Sequence, residues 1–343
     1  MKVDELYPCV GICLPDEDEA YCIGCGRPWG TPQPSLDYQV IERGWLSSNN
    51  ILLFDGNDAT LIDSGYAGHA AQTVELIKSA LAGRHPAAKL VRLINTHSHS
   101  DHIGGNAALQ RAFGCEIFIP AGIEDHIANW DEEALLLSLA AQCADRFRHD
   151  GVVRPGDTLR MGGLDWQVHA APGHDMDALI FHAPEAKLLI SGDALWENGF
   201  GIIFGELLGQ PGEGSGLAAT RATLDMLAGL KVDTVIPGHG RPFSEVGAAL
   251  DRAYQRLAAF EADPERMAKN AVKACFIFNL LDLQGLPRDR LESHLASAPI
   301  FRDVGARLLG MDIPMLADWL VTELKRGCAL EDRNGILLPT MAA

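Results

Sequence analysis

The chain has 343 residues, 47% of them hydrophobic, and a formal net charge of −18. This length predicts two domains more readily than one, and the hydrophobic content is sufficient for a large core. The negative charge disfavours nucleic acid as the main partner, because phosphate binding depends on Lys and Arg. The first residues, Met1 to Leu6, lack the apolar region of a signal peptide, and no apolar run is long enough to span a membrane. We therefore expect a cytoplasmic protein that does not contact membranes.

The first structural feature along the chain is a group of four cysteines: Cys9, Cys13, Cys22 and Cys25. In a reducing compartment such a cluster is more often metal-binding than disulfide-bonded. The segment resembles a small bacterial cysteine-rich domain. We expect residues 1–33 to form a module around one Zn²⁺ bound by four thiolates, which would stabilise a segment too short for its own core. An iron–sulfur cluster and four unliganded thiols are the alternatives.

A second region, residues 34–247, alternates between strand and helix patterns. Asn50–Phe54 and Ala59–Ile62 predict two strands, joined by a hairpin turn at Asp55-Gly56-Asn57-Asp58. Apolar residues at helical spacing predict helices in three further segments, and apolar runs predict further strands. The predicted helices are Ala70–Ala82, Ile103–Phe113 and Gly216–Leu230, and one of the strands is Glu116–Ile119. This alternation favours a layered α/β domain.

Within this region, three histidines and an aspartate occur in six residues, directly after the apolar run Leu90–Ile94. They are His97, His99, Asp101 and His102. In an extended segment, residues two apart point the same way, so His97 and His99 can converge on one ion. Imidazole nitrogens and carboxylate oxygens are ligands for zinc, iron and manganese. The motif therefore predicts a metal site.

Three more ligand-capable residues follow predicted strands further along the chain. These are His174, Asp193 and His239, and each directly follows a glycine that allows a tight turn. Catalytic side chains are often placed on loops at strand ends, where a rigid sheet fixes their positions. We expect these three residues to join the metal site.

The order HxHxDH, His, Asp and His resembles that of the metallo-β-lactamase superfamily, and specifically its hydrolase branch with the glyoxalase II-like enzymes. The resemblance implies a four-layer αββα sandwich. It also implies that His97, His99 and His174 hold one metal ion, that Asp101, His102 and His239 hold a second, and that Asp193 bridges both. We expect two Zn²⁺ ions, with iron or manganese as alternatives. Asp101 would also orient the nucleophile as a catalytic residue, and Asp63 is a candidate for fixing one imidazole.

Substrate selection is expected near the metals. Trp196, Asn198 and Phe200 follow Asp193 closely and are predicted to border the cleft. Glyoxalase II-type enzymes continue differently at this point, and we identify no basic cluster that resembles a glutathione-binding site. A segment at residues 121–150, with a predicted amphipathic helix at Ala134–Phe147, is also expected at the cleft edge. His126 and His149 within it are expected to have surface or capping roles.

The remaining residues, 248–343, are predicted to form a mostly helical domain. Patterns favour helices at Val246–Ala262, Glu265–Leu283, Arg288–Ala296 and Ile313–Lys325. A hairpin is predicted around Asn334-Gly335. Helices followed by a terminal hairpin resemble the winged-helix-like extension of some lactamase-fold hydrolases. Such a domain could line the substrate entrance, form a homodimer contact or serve as a packing cap.

The predicted function follows from the predicted ligands. Two divalent ions lower the pKa of a bridging water, and the resulting metal-bound hydroxide attacks a carbonyl or phosphoryl centre. We expect a metal-dependent hydrolase of a small-molecule thioester, ester or lactone. The alternatives are a phosphodiesterase or ribonuclease, which the acidity disfavours, and an iron-dependent sulfur dioxygenase, which shares much of the motif.

Overall fold

The computed structural model describes residues 36–208 and 215–341. The predicted four-cysteine module, with Cys9, Cys13, Cys22 and Cys25, lies outside the described residues and stays a prediction. Residues Asp37–Ala343 form one compact unit. No helix within the described ranges has the length and apolar character needed to cross a membrane.

A six-stranded sheet forms one half of a sandwich, with its strands side by side in chain order. β1 to β3 are antiparallel neighbours, whereas β3 to β6 run parallel. The predicted hairpin is confirmed, because Asp55 pairs with Asp58 across the turn. The strands are β1 (Tyr38–Ile41), β2 (Asn50–Asp55), β3 (Asp58–Ile62), β4 (Lys89–Ile94), β5 (Glu116–Pro120) and β6 (Gly151–Val153).

Helices pack on this sheet through a cluster of buried aliphatic side chains. Ile77 and Leu81 of the first helix and Leu109 of the third lie in the same buried cluster as Leu61 and Leu93 of the strands. The predicted helix at Ala70–Ala82 is confirmed within α1. The helices are α1 (Ala70–Arg84), α2 (Ser100–Ile103), α3 (Asn106–Phe113) and α4 (Glu124–Asn129).

A five-stranded sheet forms the other half, in the order β11-β10-β9-β8-β7. Every residue of β9 and β10 is buried, which requires cover on both faces of the sheet. The molecule is thus a mixed α/β sandwich, as the resemblance implied. The strands are β7 (Thr158–Met161), β8 (Leu164–Ala170), β9 (Leu179–Ala183), β10 (Leu188–Gly192) and β11 (Thr234–Pro237), and the helices that follow β10 are α5 (Phe204–Leu207) and α6 (Gly216–Gly229).

The C-terminal region is helical and ends in a small three-stranded sheet, in the order β12-β14-β13. Its helices bury side chains in the same core cluster as Ile180, Leu189 and Val235 of the five-stranded sheet. The hairpin around Asn334-Gly335 is confirmed, and the winged-helix-like character stays a prediction. The elements are α7 (Val246–Ala262), α8 (Pro264–Leu283), β12 (Leu286–Pro287), α9 (Leu291–Ser297), α10 (Pro299–Leu309), α11 (Ile313–Arg326), β13 (Leu330–Arg333) and β14 (Ile336–Pro339).

Two helix predictions need correction. The helix predicted at Ile103–Phe113 is interrupted, because Gly104 and Gly105 bring their backbone against a neighbouring segment. A Cβ on Gly105 would lie 2.3 Å from Ser64 O. The helix predicted at Ala134–Phe147 is wrong: the chain there forms successive turns, with left-handed backbone at Leu136 and Ala141. Its carbonyls bind distant groups instead, as when Asn279 Nδ2 donates to Ala140 O at 2.8 Å.

Candidate metal centre

The candidate site lies where strands of both sheets end. The loop with His97, His99, Asp101 and His102 follows β4, and α2 begins inside it. His174 follows β8, whereas Asp193 and His239 follow β10 and β11. Because β10 and β11 are parallel and β8 runs the same way through antiparallel β9, the carboxyl ends of all three strands meet at one edge.

All seven predicted ligands come together in two groups. His97, His99 and His174 form one group, and Asp101, His102, Asp193 and His239 form the other. Within each group the candidate ligand atoms all lie within 4.8 Å of one another. Asp193 lies between the groups, with Oδ2 at 3.4 Å from His174 Nε2 and Oδ1 at 3.5 Å from His102 Nε2.

The histidine nitrogens show which atoms are available to a metal. Nε2 of His97 and Nε2 of His102 are buried without a hydrogen-bond partner. In His99 and His239 the nitrogens near other candidate ligand atoms are Nδ1 and Nε2, respectively. Unpaired buried polar atoms are rare because they cost free energy, and at a site of this kind they point to an ion. The donor set of imidazoles and carboxylates therefore fits divalent cations.

Hydrogen bonds fix the opposite edges of several rings. His97 Nδ1 lies 2.9 Å from Thr96 Oγ1, and His174 Nδ1 lies 2.5 Å from Ile202 O. Such bonds hold a metal-binding imidazole in one tautomer and orientation. His99 Nδ1 and His174 Nε2, in contrast, face each other at 2.7 Å within the first ligand group.

Asp63 supports His102 in this way, as the resemblance implied. The Asp63 carboxylate is buried and accepts from Thr96 N, from the Thr96 hydroxyl and from His102 Nδ1, each at 2.8 Å. Its backbone is left-handed, with φ of 57°, a conformation that Asp and Asn tolerate better than most residues. The residue after β3 therefore orients the first residues of the metal loop.

The buried imidazoles and carboxylates of the site shift one another's pKa values. Burial and the neighbouring imidazoles lower the pKa of His97 well below its usual value, so that this ring is neutral. Burial would raise the pKa of Asp193, but His239, His102 and His174 outweigh it and hold that pKa well below the ordinary range. Burial likewise opposes the charged form of His102, yet the carboxylates around it raise its pKa. Despite burial, the pKa of Asp101 is also lowered, by His102 and His239, so Asp101 and Asp193 are ionised.

A cleft of about 490 Å³ opens onto both groups. Trp196 lines it and donates from Nε1 to Asp193 Oδ1 at 3.1 Å. Trp45 lines it too, and its half-exposed ring stacks on His239, with ring centroids 5.4 Å apart and planes 11° apart. The other predicted cleft residues do not line the cavity. Asn198 is exposed, and Phe200 is buried against Phe260.

The segment at residues 121–150 and the C-terminal region both line the rest of the cleft wall, as expected, but sequence reasoning did not identify their individual lining residues. The helix α8 contributes a row of side chains to it, and the turns at residues 131–141 contribute Leu136 and Ala140. The α8 residues that line the cleft are Asn270, Lys273, Ala274, Cys275, Ile277, Phe278 and Leu281. Their spacing predicts a helix with one apolar face, but sequence alone does not distinguish an apolar face that lines a cleft from one that packs in the core. His126 and His149 are in neither ligand group, and His149 lies 3.6 Å from Glu124.

Curated proteins are similar to parts of this chain. The chain is 34% identical over 110 residues to a hydroxyacylglutathione hydrolase of Hyphomonas neptunium, an alignment that covers 32% of this chain and about a third (36%) of that protein. It is 29% identical over 209 residues to an uncharacterized protein of Mycobacterium tuberculosis, covering 57% of this chain and 88% of that protein.

Solved structures share the fold. A metallo-beta-lactamase family protein from Thermus thermophilus is similar with a TM-score of 0.53 at 19% sequence identity, covering 90% of this chain and 99% of that chain. The sequence profile of the Metallo-beta-lactamase superfamily matches residues 43–239, which is more than half of the chain and includes all seven candidate ligands. This protein therefore belongs to the metallo-beta-lactamase superfamily.

Proposed function

We propose that the protein is a hydrolase that uses two divalent metal ions to cleave a thioester, ester or lactone. One observation carries the proposal: buried imidazole nitrogens without partners converge with two ionised carboxylates at the mouth of a cleft. Zn²⁺ is the expected metal, since imidazole and carboxylate suit it, and iron or manganese are the alternatives.

Each group would hold one ion. His97, His99 and His174 would bind the first, Asp101, His102 and His239 the second, and Asp193 lies where it would contact both. When bound, such a pair of ions lowers the pKa of a water molecule and polarises the substrate oxygen. Asp101 would orient the attacking water by accepting a hydrogen bond, and its Oδ2 lies 2.9 Å from His239 Nε2 within the second group.

The cleft favours an acyl substrate over a phosphodiester. Its walls are largely apolar, with Leu136, Ile277, Phe278 and Leu281 among the lining side chains. An apolar wall suits the hydrocarbon part of a thioester, ester or lactone. The relative from Hyphomonas neptunium, a hydroxyacylglutathione hydrolase, supports acyl chemistry. The cytoplasmic location, the domain boundaries after residues 33 and 247 and a homodimer stay predictions.

The test combines metal analysis with a substrate panel. Purified protein should carry about two metal ions per chain at this site and hydrolyse at least one of a set of acyl thioesters, esters and lactones. Asp193→Ala should abolish that activity. Asp233→Ala, at an exposed position paired with Lys187 at 2.9 Å, is the control and should retain it.

Three results would overturn the proposal. One is protein without metal after expression in metal-replete medium, and another is full activity of Asp193→Ala. The third is activity confined to phosphodiesters or, with iron bound, to persulfide oxidation, which would establish one of the alternatives.

A further inference from the structure

The cleft-facing side of α8 changes from polar to apolar along the helix. Near the start of this face are Asn270 and Lys273, and one to two turns later it presents Ile277, Phe278 and Leu281. These residues span roughly 16 Å along the helix at 1.5 Å per residue. A ligand lying along α8 would thus meet polar groups at one end and apolar groups at the other.

Arg256 of α7 stands beside the polar end. Its guanidinium packs over the rings of Phe200 and Phe260, at 5.1 and 5.3 Å from their centroids. The side chain is half-buried, and burial lowers its pKa, yet no carboxylate oxygen of a described residue lies within 4.0 Å of it. Removing a cation from water without an anionic partner costs free energy. A bound anion would remove that cost.

Arg256 also lines a second cavity, of about 590 Å³, that shares Asn270 and Lys273 with the cleft. Arg266 and Lys269 complete its set of basic residues, and Asp263 and Glu265 lie beside them. Glu265 pairs with Lys269 at 2.6 Å and Asp263 caps α8 by accepting from Arg266 N.

Three cations therefore remain without a carboxylate partner among the described residues: Arg256, Arg266 and Lys273. The acid that lines the cleft nearby, Glu323, pairs with Arg326 at 2.6 Å. In a chain of net charge −18, unpaired cations in a pocket that shares residues with the cleft favour the binding of an anion there.

We infer that the substrate is a thioester between an apolar acyl group and a thiol that bears phosphate groups. This inference rests on the proposed function. The acyl chain would lie against Ile277, Phe278 and Leu281, and the phosphates would bind Arg256 and Lys273. In the reaction, water adds its oxygen to the acyl carbon, the carbon–sulfur bond breaks, and the departing sulfur takes up a proton to leave as the thiol.

The first experiment compares three thioesters of the same acyl group. Decanoyl-coenzyme A carries phosphates on its thiol part, decanoyl-glutathione carries carboxylates, and decanoyl-N-acetylcysteamine carries neither. We expect kcat/KM for the coenzyme A thioester to exceed both others by about tenfold or more, since one charge-assisted contact is worth about that factor. Arg256→Gln and Lys273→Gln should lower kcat/KM for the coenzyme A thioester much more than kcat/KM for the neutral thioester, and so remove this advantage. Arg221→Gln, which breaks a surface pair with Glu261, is the charge-matched control and should change neither value.

The second experiment does not need activity. Adenosine 3′,5′-bisphosphate, the phosphate-rich part of coenzyme A without its thiol, is titrated into the protein by calorimetry. We expect binding that weakens about tenfold or more in Arg256→Gln and Lys273→Gln, persists in Arg221→Gln and declines with added salt. The second variant covers the case in which Arg256→Gln perturbs packing against Phe200.

The outcomes separate the two proposals. Equal kcat/KM for the coenzyme A and N-acetylcysteamine thioesters, or bisphosphate binding unchanged in both variants, would overturn the inference. Preference for the glutathione thioester with the same dependence on Arg256 would assign the pocket to carboxylates and also overturn it. If bisphosphate binds through Arg256 but no thioester, ester or lactone is hydrolysed, the proposed function fails while the anion site stands. If esters or lactones are hydrolysed but no thioester is, the proposed function stands and the inference is overturned.

Discussion

Asp63→Asn tests whether the metal loop depends on a carboxylate that touches no metal. The substitution keeps the size of the side chain, and Asn tolerates the left-handed backbone at this position. The amide oxygen can still accept from Thr96 N. The amide nitrogen, however, would face His102 Nδ1 where a carboxylate oxygen now lies at 2.8 Å. Because that nitrogen is a donor, His102 would have to move its proton to Nε2, the atom that is now buried and free for a metal.

The size of the effect follows from this change of tautomer. To bind metal through Nε2, His102 would have to return its proton to Nδ1. That N–H would then face the amide N–H of Asn at position 63, a donor, where Asp63 now offers an acceptor. Losing an outer partner of this kind costs roughly 10- to 100-fold in metal affinity, which corresponds to about 1.4 to 2.8 kcal/mol. The loss should fall on the ion held by His102, while the ion held by His97, His99 and His174 is affected less.

The assay is a competition titration between the protein and a zinc chelator of known affinity. Asp55→Asn is the matched control, because the Asp55 carboxylate also accepts two hydrogen bonds, from Gly162 N and Gly163 N, but lies away from the site. We expect one of two ions to bind 10- to 100-fold more weakly in Asp63→Asn and neither to change in Asp55→Asn. Equal affinities for both ions in Asp63→Asn and the unaltered protein would refute the reasoning.

Two further predictions concern side-chain hydrogen bonds. Trp196→Phe removes the donor to Asp193 Oδ1 but keeps an aromatic ring in the cleft wall, so metal affinity should fall roughly tenfold. Trp45→Phe, which loses no such bond, should leave that affinity unchanged in the same titration, and an equal loss in both variants would contradict this account. Asn279→Leu leaves both the Ala140 carbonyl and His294 Nε2 without their hydrogen-bond partner, so the free energy of unfolding in urea should fall by about 1 to 3 kcal/mol. A loss below about 0.5 kcal/mol would show that these two bonds do not stabilise the fold.

The ligand set could be predicted from sequence because its signals are local. Glycine stands before His174, Asp193 and His239, each after a strand, and the loop at His97–His102 carries four candidate ligands in six residues. Strand order then determines that these loops meet at one edge, so a correct fold brings the side chains together. The hairpin turns at Gly56 and Asn334-Gly335 were readable for the same reason, since the turn residues themselves specify the geometry.

Most of the individual cleft-lining residues could not be predicted, because the wall is assembled from distant segments. Phe200 is aromatic and follows Asp193 closely, as expected of a substrate contact, but Phe260 and Arg256 pack against its ring in the fold. The basic pocket was not visible either, since Arg256 on α7 and Lys273 on α8 become neighbours only when the two helices pack. The helix predicted at Ala134–Phe147 failed because contacts such as Asn279 to Ala140 outweigh its helical periodicity.

The common core of the five-stranded sheet and the C-terminal helices limits how this protein can change. Leu189 and Val235, in the strands that lead to Asp193 and His239, belong to the same buried cluster as Phe276 and Leu280 of α8. A substitution on the inner face of α8 therefore changes the same core that supports the strands of two candidate ligands. Grafting α8 from a relative to alter substrate preference would require repacking of this common core at the same time. One helix, α8, thus contributes both to the cleft wall and to the core that supports the candidate ligands. Altered substrate specificity should therefore arise more readily from substitutions on the cleft-facing side of α8 than from exchange of the whole helix.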